Sequence, residues 1–155
     1  MARREGPQRL LAVSSSGGHW TQLLRLRPAF EGRDVFYVTT GACSGGHSKD
    51  GRIFVVRDIC RTDAFKLPLL VMELIAIFRK VRPTAVITTG AAPGAIALVI
   101  GKLMGARTVW IDSIANAEDL SMSGKWVRRW ADLWLTQWPD VAGRYERLAY
   151  RGAVI

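Results

Sequence analysis

The chain has 155 residues, of which 49% are hydrophobic and 23% charged, and this composition indicates one globular domain and excludes a disordered chain. Its two cysteines, Cys43 and Cys60, form neither a disulfide framework nor a Cys/His cluster, so we predict no metal site. The formal net charge of +9 indicates an anionic partner such as nucleic acid, anionic lipid or a phosphorylated substrate, unless the cations are simply solvated.

Neither the N-terminus nor the most apolar segment has the features of a sequence that crosses a membrane. The N-terminus, Met1–Glu5, is charged and lacks a long apolar run, so we expect no secretory signal. The longest apolar run, from Leu67 to Phe78, contains Pro68 and Glu73 and is shorter than the roughly 20 residues that span a bilayer. We therefore expect a protein that is cytosolic or lies on a membrane surface.

Short apolar runs alternate with helical patterns along the whole chain. In the first half, the predicted elements are a strand at 10–13, a helix at 19–27 ended by Pro28, a strand at 35–38, a mobile Gly- and Ser-rich loop over Thr40 to Arg52, a strand at 53–56 and a helix at 64–80. In the second half, they are a strand at 85–88, a turn at 90–93, a helix at 94–104, a strand at 108–111, a polar loop at 112–122, a helix from near Ser123, a strand at 133–136 stopped by Pro139 and a last strand candidate at 149–155.

This alternation predicts the fold class. Short, continuously apolar strands are typical of a parallel sheet that helices cover on both faces. We therefore predict a single α/β domain over residues 1–155, with a Rossmann-like parallel sheet of about six strands. In such sheets, ligands bind where the carboxyl ends of the strands pass into loops and helices.

The loop after the first predicted strand is the leading candidate site. Small hydroxyl residues and paired glycines let backbone N–H groups turn toward an anion at the start of the next helix, and the loop consists of Ser14, Ser15, Ser16, Gly17 and Gly18. His19 follows, and its imidazole can act as an acid or base near neutral pH. The spacing is neither GxGxxG nor a Walker loop, which disfavours dinucleotide and ATP binding. The alternative is a structural turn in which His19 caps the helix.

A second loop of the same kind follows the predicted strand at 85–88. We predict that Thr89 and Gly90 face a ligand. The alternative is that Gly90 only permits a tight turn. For Gly94 we prefer a structural role, in which the missing side chain lets the helix lie close to the sheet.

The third loop follows the predicted strand at 108–111 and contains Asp112, Ser113 and Asn116. The carboxylate of Asp112 could accept a hydrogen bond from a substrate hydroxyl. It could equally cap local backbone N–H groups and order the loop. Lys125 stands at the start of the next predicted helix and belongs to a basic face with Arg128 and Arg129.

Four of the six tryptophans recur at intervals of four residues. We assign Trp126 and Trp130 to one helix face, and Trp134 and Trp138 to the next strand and loop, because Thr136 and Pro139 do not suit a continued helix. We expect most of them to lie in the core or an interface. Stacking on nucleic acid is the less favoured alternative.

With these residues in place, the chain resembles a known family. Its motifs are, in order, SSSGGHWTQLLRL, TTGAAPGAIALVIGKLMGARTVWIDS and LSMSGKWVRRWADLWLTQWPD. They resemble the acceptor-side subunit of the two-chain N-acetylglucosaminyltransferase of dolichol-linked oligosaccharide synthesis, and the PssD-type bacterial subunits of capsule and exopolysaccharide assembly. A more distant similarity is to the N-terminal half of MurG, the peptidoglycan N-acetylglucosaminyltransferase. The resemblance covers essentially the whole chain.

This resemblance implies the N-terminal half of a GT-B glycosyltransferase, located peripherally on the cytoplasmic face of the membrane. This half would bind a polyprenyl-diphosphate-linked acceptor, while a separate donor-binding subunit binds most of the UDP-sugar. The implied reaction is an inverting transfer of N-acetylglucosamine, a related hexose or a uronic acid, with the UDP-sugar as donor substrate and with neither cofactor nor metal. The isolated chain would be inactive.

The resemblance also implies roles for individual residues. The Ser14–Gly18 loop would hold acceptor phosphate or nearby oxygens, and His19 would be the general base. Thr89, Gly90, Asp112 and Ser113 would line the cleft that faces the partner subunit. The family often has Glu-Ser-x-x-Arg after the fifth strand, where this chain has Asp112, Ser113 and Asn116. The carboxylate is kept but the cation is lost, and Lys125 is the candidate replacement.

Two further functions and one local alternative stay open at this point. The chain could be a non-catalytic membrane scaffold that recruits a soluble glycosyltransferase subunit. A nucleic-acid-binding module is third, resting only on charge and tryptophans, and we predict no nucleic-acid partner. The helix at 64–80, with the cluster Arg79, Lys80 and Arg82, is the candidate membrane contact. Burial of this helix against the sheet is the alternative that we favour.

Overall fold

A computed structural model describes residues 8–41, 52–59 and 61–154 of the protein. These residues fold into one parallel sheet with helices on both sides. The charged N-terminus Met1–Glu5, both cysteines and most of the loop predicted between Thr40 and Arg52 lie outside the described residues. Among the described residues the elements, in chain order, are β1 (Arg9–Val13), α1 (Gly18–Arg25), β2 (Asp34–Thr39), β3 (Ile53–Val55), α2 (Leu67–Val81), β4 (Ala85–Thr88), α3 (Ala91–Leu103), β5 (Arg107–Ile111), α4 (Met122–Trp126), β6 (Leu133–Thr136), α5 (Pro139–Ala142) and β7 (Ala149–Tyr150).

The sheet order is β3-β2-β1-β4-β5-β6-β7, and every neighbouring pair is parallel. The chain runs outward from β1 to β3, returns to place β4 beside β1, and then runs outward in the other direction. The loops that leave β1 and β4 therefore diverge and open a crevice at the carboxyl edge of the sheet, which is where α/β proteins bind ligands. The Rossmann-like α/β class predicted from the sequence is confirmed.

The two faces of the sheet are covered by different helices. Side chains alternate along β1, so Leu11 and Val13 point to the opposite face from Leu10 and Ala12. The first face packs against α2 and α3 through a cluster that includes Phe78. The second face packs against α1, whose Leu23 is fully buried. The site residues that directly follow the strands also point alternately to one face of the sheet and to the other.

Several element boundaries differ from the prediction. Helix α1 ends at Arg25, and Pro28, predicted to end it, lies inside the following 3₁₀ segment, Arg27–Phe30. Helix α3 begins at Ala91, not at Gly94, because Pro93 is the third residue of its first turn, where no helical hydrogen bond to its nitrogen is required. The last strand has two residues, Ala149–Tyr150, where a longer candidate was predicted. Pro139 stops β6 as expected and then starts α5, since its fixed φ suits the first helical position.

Helix α2 confirms that the predicted helix at 64–80 packs against the sheet. It spans Leu67–Val81, and a 3₁₀ segment, Arg61–Lys66, precedes it. Its inner face is buried in the core through Leu70, Leu74 and Phe78. Its outer face is strongly apolar, so this helix is not a simple amphipathic one. Among the described residues, no helix combines the length and the apolar character needed to cross a bilayer.

The prediction that Trp126 and Trp130 share a helix face is wrong. Helix α4 ends at Trp126, and a 3₁₀ segment, Val127–Arg129, separates the two residues. Trp126 is 58% exposed, whereas Trp130 packs against the core. Trp134 lies in β6 and is buried, as predicted.

The close approach of α3 to β4 leads to a stability prediction. A Cβ at Gly94 would lie 2.0 Å from the Thr88 hydroxyl oxygen, so Gly94→Ala must push α3 away from the sheet. We expect a loss of about 1–3 kcal/mol in the free energy of unfolding. Gly143→Ala is the matched control: a Cβ there meets only the Asp140 carbonyl oxygen at 3.8 Å, and its expected effect is within about 0.5 kcal/mol. Equal denaturation midpoints for the two variants would contradict this packing.

Candidate active site

Two reciprocal hydrogen bonds join the loops that diverge from β1 and β4. The ring nitrogen Nδ1 of His19 lies 2.9 Å from the backbone oxygen of Thr89. In return, the hydroxyl of Thr89 donates to the backbone oxygen of His19 at 2.8 Å. His19 is in the first turn of α1 and Thr89 directly follows β4, so the pair crosses the crevice between the two halves of the sheet. The structure thus brings together the first two predicted loops.

These bonds determine the protonation of the neutral His19 ring. A backbone oxygen can only accept, so Nδ1 must carry the proton. The lone pair of the neutral imidazole is then on Nε2, which has no hydrogen bond among the described residues. A histidine held by Nδ1 and free at Nε2 is oriented to accept a proton from a group in the crevice.

Gly90 makes room for this ring. A Cβ at Gly90 would lie 2.7 Å from Cε1 and 2.8 Å from Nδ1 of His19, so only glycine fits beneath the imidazole. Its φ is +135°, and the next residue, Ala91, has a φ of +66°, which costs an alanine of the order of 1–2 kcal/mol. The site maintains strained backbone where it contacts His19, which favours a functional role for this arrangement.

The N-terminus of α1 faces the same crevice with free backbone donors. Gly17, with a φ of +80°, leads into the helix without a side-chain cap. The first N–H groups of an α-helix have no partner within the helix, so those of Gly18 and His19 can bind an anion. Ser16 is exposed, and its backbone N–H donates to the Thr40 hydroxyl at 3.1 Å. The loop therefore has the geometry expected of an anion site.

Two buried hydroxyls lie beneath this loop. Ser14 and Thr39 follow or end the neighbouring strands β1 and β2, and both are 0% exposed. Neither hydroxyl has a hydrogen-bond partner among the described residues. Unpartnered buried hydroxyls are rare in folded proteins. Ser15 is half-buried and Ser16, Gly17 and Gly18 are exposed, so the predicted loop Ser14–Gly18 rises from the buried end of β1 to the surface.

Asp112 orders the loop after β5. It is 1% exposed, and each carboxylate oxygen accepts two hydrogen bonds. Oδ1 accepts from the Trp110 indole at 3.1 Å and the Ser121 hydroxyl at 2.6 Å, and Oδ2 accepts from the Ser121 N–H at 2.9 Å and the Asn116 amide at 3.1 Å. These four bonds support the loop-ordering alternative for Asp112, with Asn116 as one of its supports.

Ser113 points to the other face, toward α1. Its hydroxyl accepts from the side-chain amide of Gln22, and Gln22 in turn accepts from the amide of Gln137 at 3.0 Å. Gln137 also donates to the Asp112 backbone oxygen at 2.9 Å. All of these polar groups are buried. The third predicted loop is therefore connected to the helix that carries His19.

Lys125 belongs to a separate cluster. Its ammonium donates to Asp119 at 2.5 Å, and the Tyr145 hydroxyl donates to the same carboxylate at 2.6 Å. The Lys125 bond, followed by the Tyr145 bond, lowers the pKa of Asp119 to about 2, and the bond to Asp119 raises the pKa of Lys125. No hydrogen bond in the described part of the chain links Lys125 to His19 or Thr89. Its role as a replacement cation remains a prediction.

Sequence reasoning missed three site residues: Gln22, Thr39 and Gln137. Gln22 lies inside the predicted helix at 19–27 and Gln137 directly follows the predicted strand at 133–136, where a polar amide beside Leu23 or Thr136 is a usable signal. Thr39 looks like an ordinary strand residue. Its position beside Ser14 follows only from the register of β1 and β2, in which Val13 pairs with Val38.

Comparison with known proteins places this chain in a family. The family model "Oligosaccharide biosynthesis protein Alg14 like" matches residues 69–154, more than half of the chain. A relative from Yarrowia lipolytica, a UDP-N-acetylglucosamine transferase subunit ALG14, is 23% identical over 95% of this chain and 81% of its own length. The subunit of the same name from Mus musculus is 24% identical over 95% of this chain and 83% of its own length. A shorter match to the Eremothecium gossypii subunit is 43% identical over 49 residues, 32% of this chain and 22% of that protein.

Two solved structures share the fold. MurG from Acinetobacter baumannii superposes with a TM-score of 0.70 at 13% identity, over 87% of this chain and 43% of its own. UDP-N-acetylglucosamine 2-epimerase from Rickettsia bellii superposes with a TM-score of 0.69 at 12% identity, over 96% of this chain and 46% of its own. The chain spans less than half the length of either protein, and at these identities the likeness concerns the fold alone. By the family match, the chain belongs to the Alg14-like family of oligosaccharide biosynthesis proteins.

Proposed function

We propose that this chain is the acceptor-binding subunit of an inverting, UDP-sugar-dependent GT-B glycosyltransferase that acts on a polyprenyl-diphosphate-linked acceptor. The observation that carries the proposal is the hydrogen bond from His19 Nδ1 to the Thr89 backbone oxygen, which leaves Nε2 as a base in the crevice. The family supports this choice, because its relatives are named as UDP-N-acetylglucosamine transferase subunits. The acceptor would thus receive N-acetylglucosamine, a related hexose or a uronic acid.

The chemistry assigned to His19 is general-base catalysis. As the acceptor hydroxyl oxygen forms a bond to the anomeric carbon of the donor sugar, Nε2 takes the hydroxyl proton. The bond from the anomeric carbon to the diphosphate breaks, and UDP leaves with the electron pair. Attack from the side opposite the leaving group inverts the anomeric configuration. Thr89 stabilises the imidazolium that forms, because its backbone oxygen accepts a hydrogen bond from Nδ1–H throughout.

The polar groups around His19 are suited to the diphosphate of the acceptor. The N-termini of α1 and α3 both face the crevice, and the positive ends of their dipoles favour an anion there. The N–H groups of Gly18 and His19 at the start of α1 are the backbone donors, and the unpartnered hydroxyls of Ser14 and Thr39 are buried at the ends of β1 and β2. We assign this surface to acceptor phosphate, with no metal ion required.

A separate donor-binding subunit would complete the site. The relatives are named as transferase subunits, which supports a second chain in the enzyme. We propose that the rest of the UDP-sugar site is on this partner chain, which closes over the carboxyl edge of the sheet. We further propose a PssD-type role in bacterial exopolysaccharide or capsule assembly, on the sequence motifs alone.

The outer face of α2 is suited to the membrane contact. Leu69 and Met72 lie three residues apart on it and are 45% and 66% exposed, and Phe65, in the 3₁₀ segment before the helix, is 74% exposed. Because α2 follows β3, its N-terminal end is at the carboxyl edge, the same edge as His19. With a net charge of +9, the chain would bind an anionic bilayer and receive a lipid-linked acceptor there, peripherally and on the cytoplasmic face.

The non-catalytic scaffold is the competing function. A scaffold requires a membrane face and a partner surface but no oriented base. The His19–Thr89 bonds and the positive φ at Ala91 favour catalysis over it, because neither would serve recruitment alone.

The base assignment predicts the effect of replacing His19. We expect His19→Gln, assayed in the complex with the donor-binding subunit, to lower kcat by about 10²–10⁴-fold, the usual contribution of a general base. Arg25→Ala, an exposed change in the last turn of α1, is the matched control and should retain turnover. Near-wild-type turnover of a folded His19→Gln complex would exclude His19 as the base.

The membrane assignment predicts the effect of charges on α2. We expect Leu69→Glu/Met72→Glu to weaken binding to vesicles of equal parts phosphatidylcholine and phosphatidylglycerol by about tenfold or more, since two apolar side chains can no longer enter the interface.

The control for this experiment is Leu103→Glu, which changes a residue that is 72% exposed at the end of α3, on the opposite edge of the sheet. Vesicle co-sedimentation measures both variants. Equal losses of binding in the two would show that α2 is not the contact surface.

A further inference from the structure

A pair of buried amides connects the His19 helix to the far half of the sheet. Gln22 and Gln137 are 6% and 3% exposed, and they lie in α1 and directly after β6. They are 115 residues apart along the chain and 3.0 Å apart through Gln137 Nε2 and Gln22 Oε1. Burying two amides is unfavourable unless both are well hydrogen-bonded, so such a pair persists where its bonds position something.

Backbone groups determine which way both amides face. The N–H of Val154 donates to Gln137 Oε1 at 2.7 Å, so the opposite end of that amide, Nε2, must be the donor. Nε2 donates to the Asp112 backbone oxygen at 2.9 Å and to Gln22 Oε1. Gln22 Nε2 then faces the Ser113 hydroxyl at 3.3 Å. The chain of bonds has one consistent direction, from the C-terminal segment to α1.

Helix α1 has little else with directional bonds to hold it. It has eight residues and no side-chain cap, and its packing against the sheet is apolar, through the buried Leu23 and the partly buried Trp20 and Leu24. Apolar contacts are non-directional and allow a short helix to rotate or slide. His19 is tied to Thr89 in the first turn, and Gln22 is tied to Ser113 and Gln137 almost one turn later. We call each of these two sets of hydrogen bonds a tether. Two tethers determine the rotation of α1 about its axis, which one tether alone would leave free.

From this geometry we propose that Gln22 and Gln137 are positioning residues for His19. They hold α1 at the rotation that keeps Nδ1 on the Thr89 oxygen and Nε2 open to the crevice. Through the Val154 N–H, the segment after β7 is part of the same tether. The catalytic part of this inference rests on the proposed function, whereas the structural part concerns the His19 ring alone.

The proposal is tested first on the ring of His19 in the isolated chain. Long-range proton–nitrogen correlation spectra report which ring nitrogen carries the proton, and His19→Ala identifies the signals. We expect the Nδ1–H form in the wild type, and a shift toward a mixture of the two tautomers in Gln22→Met, which keeps the side-chain volume but none of the bonds. Ser113→Ala removes only the hydroxyl oxygen that accepts from Gln22. It should therefore shift the His19 ring signals in the same direction as Gln22→Met, but by a smaller amount. Arg25→Ala, exposed on the same helix, is the control and should shift nothing.

Kinetics of the complex with the donor-binding subunit supply the second readout. We expect Gln22→Met to lower kcat by about tenfold with little change in the KM for the UDP-sugar, because misplacing a base by a fraction of an ångström costs rate and not donor binding. Gln137→Met should do the same, and the double variant should lose no more than the worse single one, as expected of two residues in one tether.

The outcomes separate this proposal from the proposed function. Folded Gln22→Met and Ser113→Ala chains with wild-type His19 ring signals would overturn the positioning role, whatever the activity. Full activity of His19→Ala would overturn the base assignment, while the ring signals would still decide whether Gln22 positions the histidine. Additive losses of kcat in the double variant would overturn the single-tether account.

Discussion

The hydrogen-bonded pair of His19 and Thr89 is the interaction on which the site depends. The strand order reverses between β1 and β4, so the two loops leave neighbouring strands in opposite directions at one edge of the sheet. Because the strands are neighbours, His19 and Thr89 still lie within hydrogen-bond distance of each other. The backbone at Gly90 and Ala91 accepts positive φ so that the imidazole can lie against it. A single contact thereby joins the two halves of the sheet, selects the neutral tautomer of the histidine and directs its lone pair toward the crevice.

The carboxyl edge of the sheet is organised by the alternation of side chains. On the α1 side, Ser14, Thr39, Thr89, Ser113 and Gln137 end or follow five neighbouring strands and form a polar row under the helix. On the other side, Thr88 and Asp112 face α3 and α4, where they hold the helix N-terminus and the loop after β5. One side of the edge therefore carries the groups proposed to bind and react, and the other side carries the groups that keep the loops in place.

The fold could be predicted from the sequence because apolar runs of strand length recur between helical patterns, and both periods are local properties. The start of α3 was misplaced because Pro93 is compatible with a turn and with a first helical turn, and only the packing of Gly94 on Thr88 decides between them. The His19 loop could be predicted as a site from its residue types. The roles of Asp112, Gln22 and Gln137 could not, because their partners are distant in sequence or are backbone atoms that a pattern of side chains does not reveal.

We propose that these features together form half of an active site: a base, an anion-binding loop and an apolar face for lipid, arranged on one edge of one domain. The most direct measurement is transfer of a labelled sugar from its UDP donor to a polyprenyl-diphosphate-linked acceptor in anionic vesicles, by this chain, by the donor-binding subunit and by their mixture. The account predicts transfer only by the mixture, abolished by His19→Gln. Full transfer by the donor-binding subunit without this chain would contradict it, as would full transfer by this chain alone.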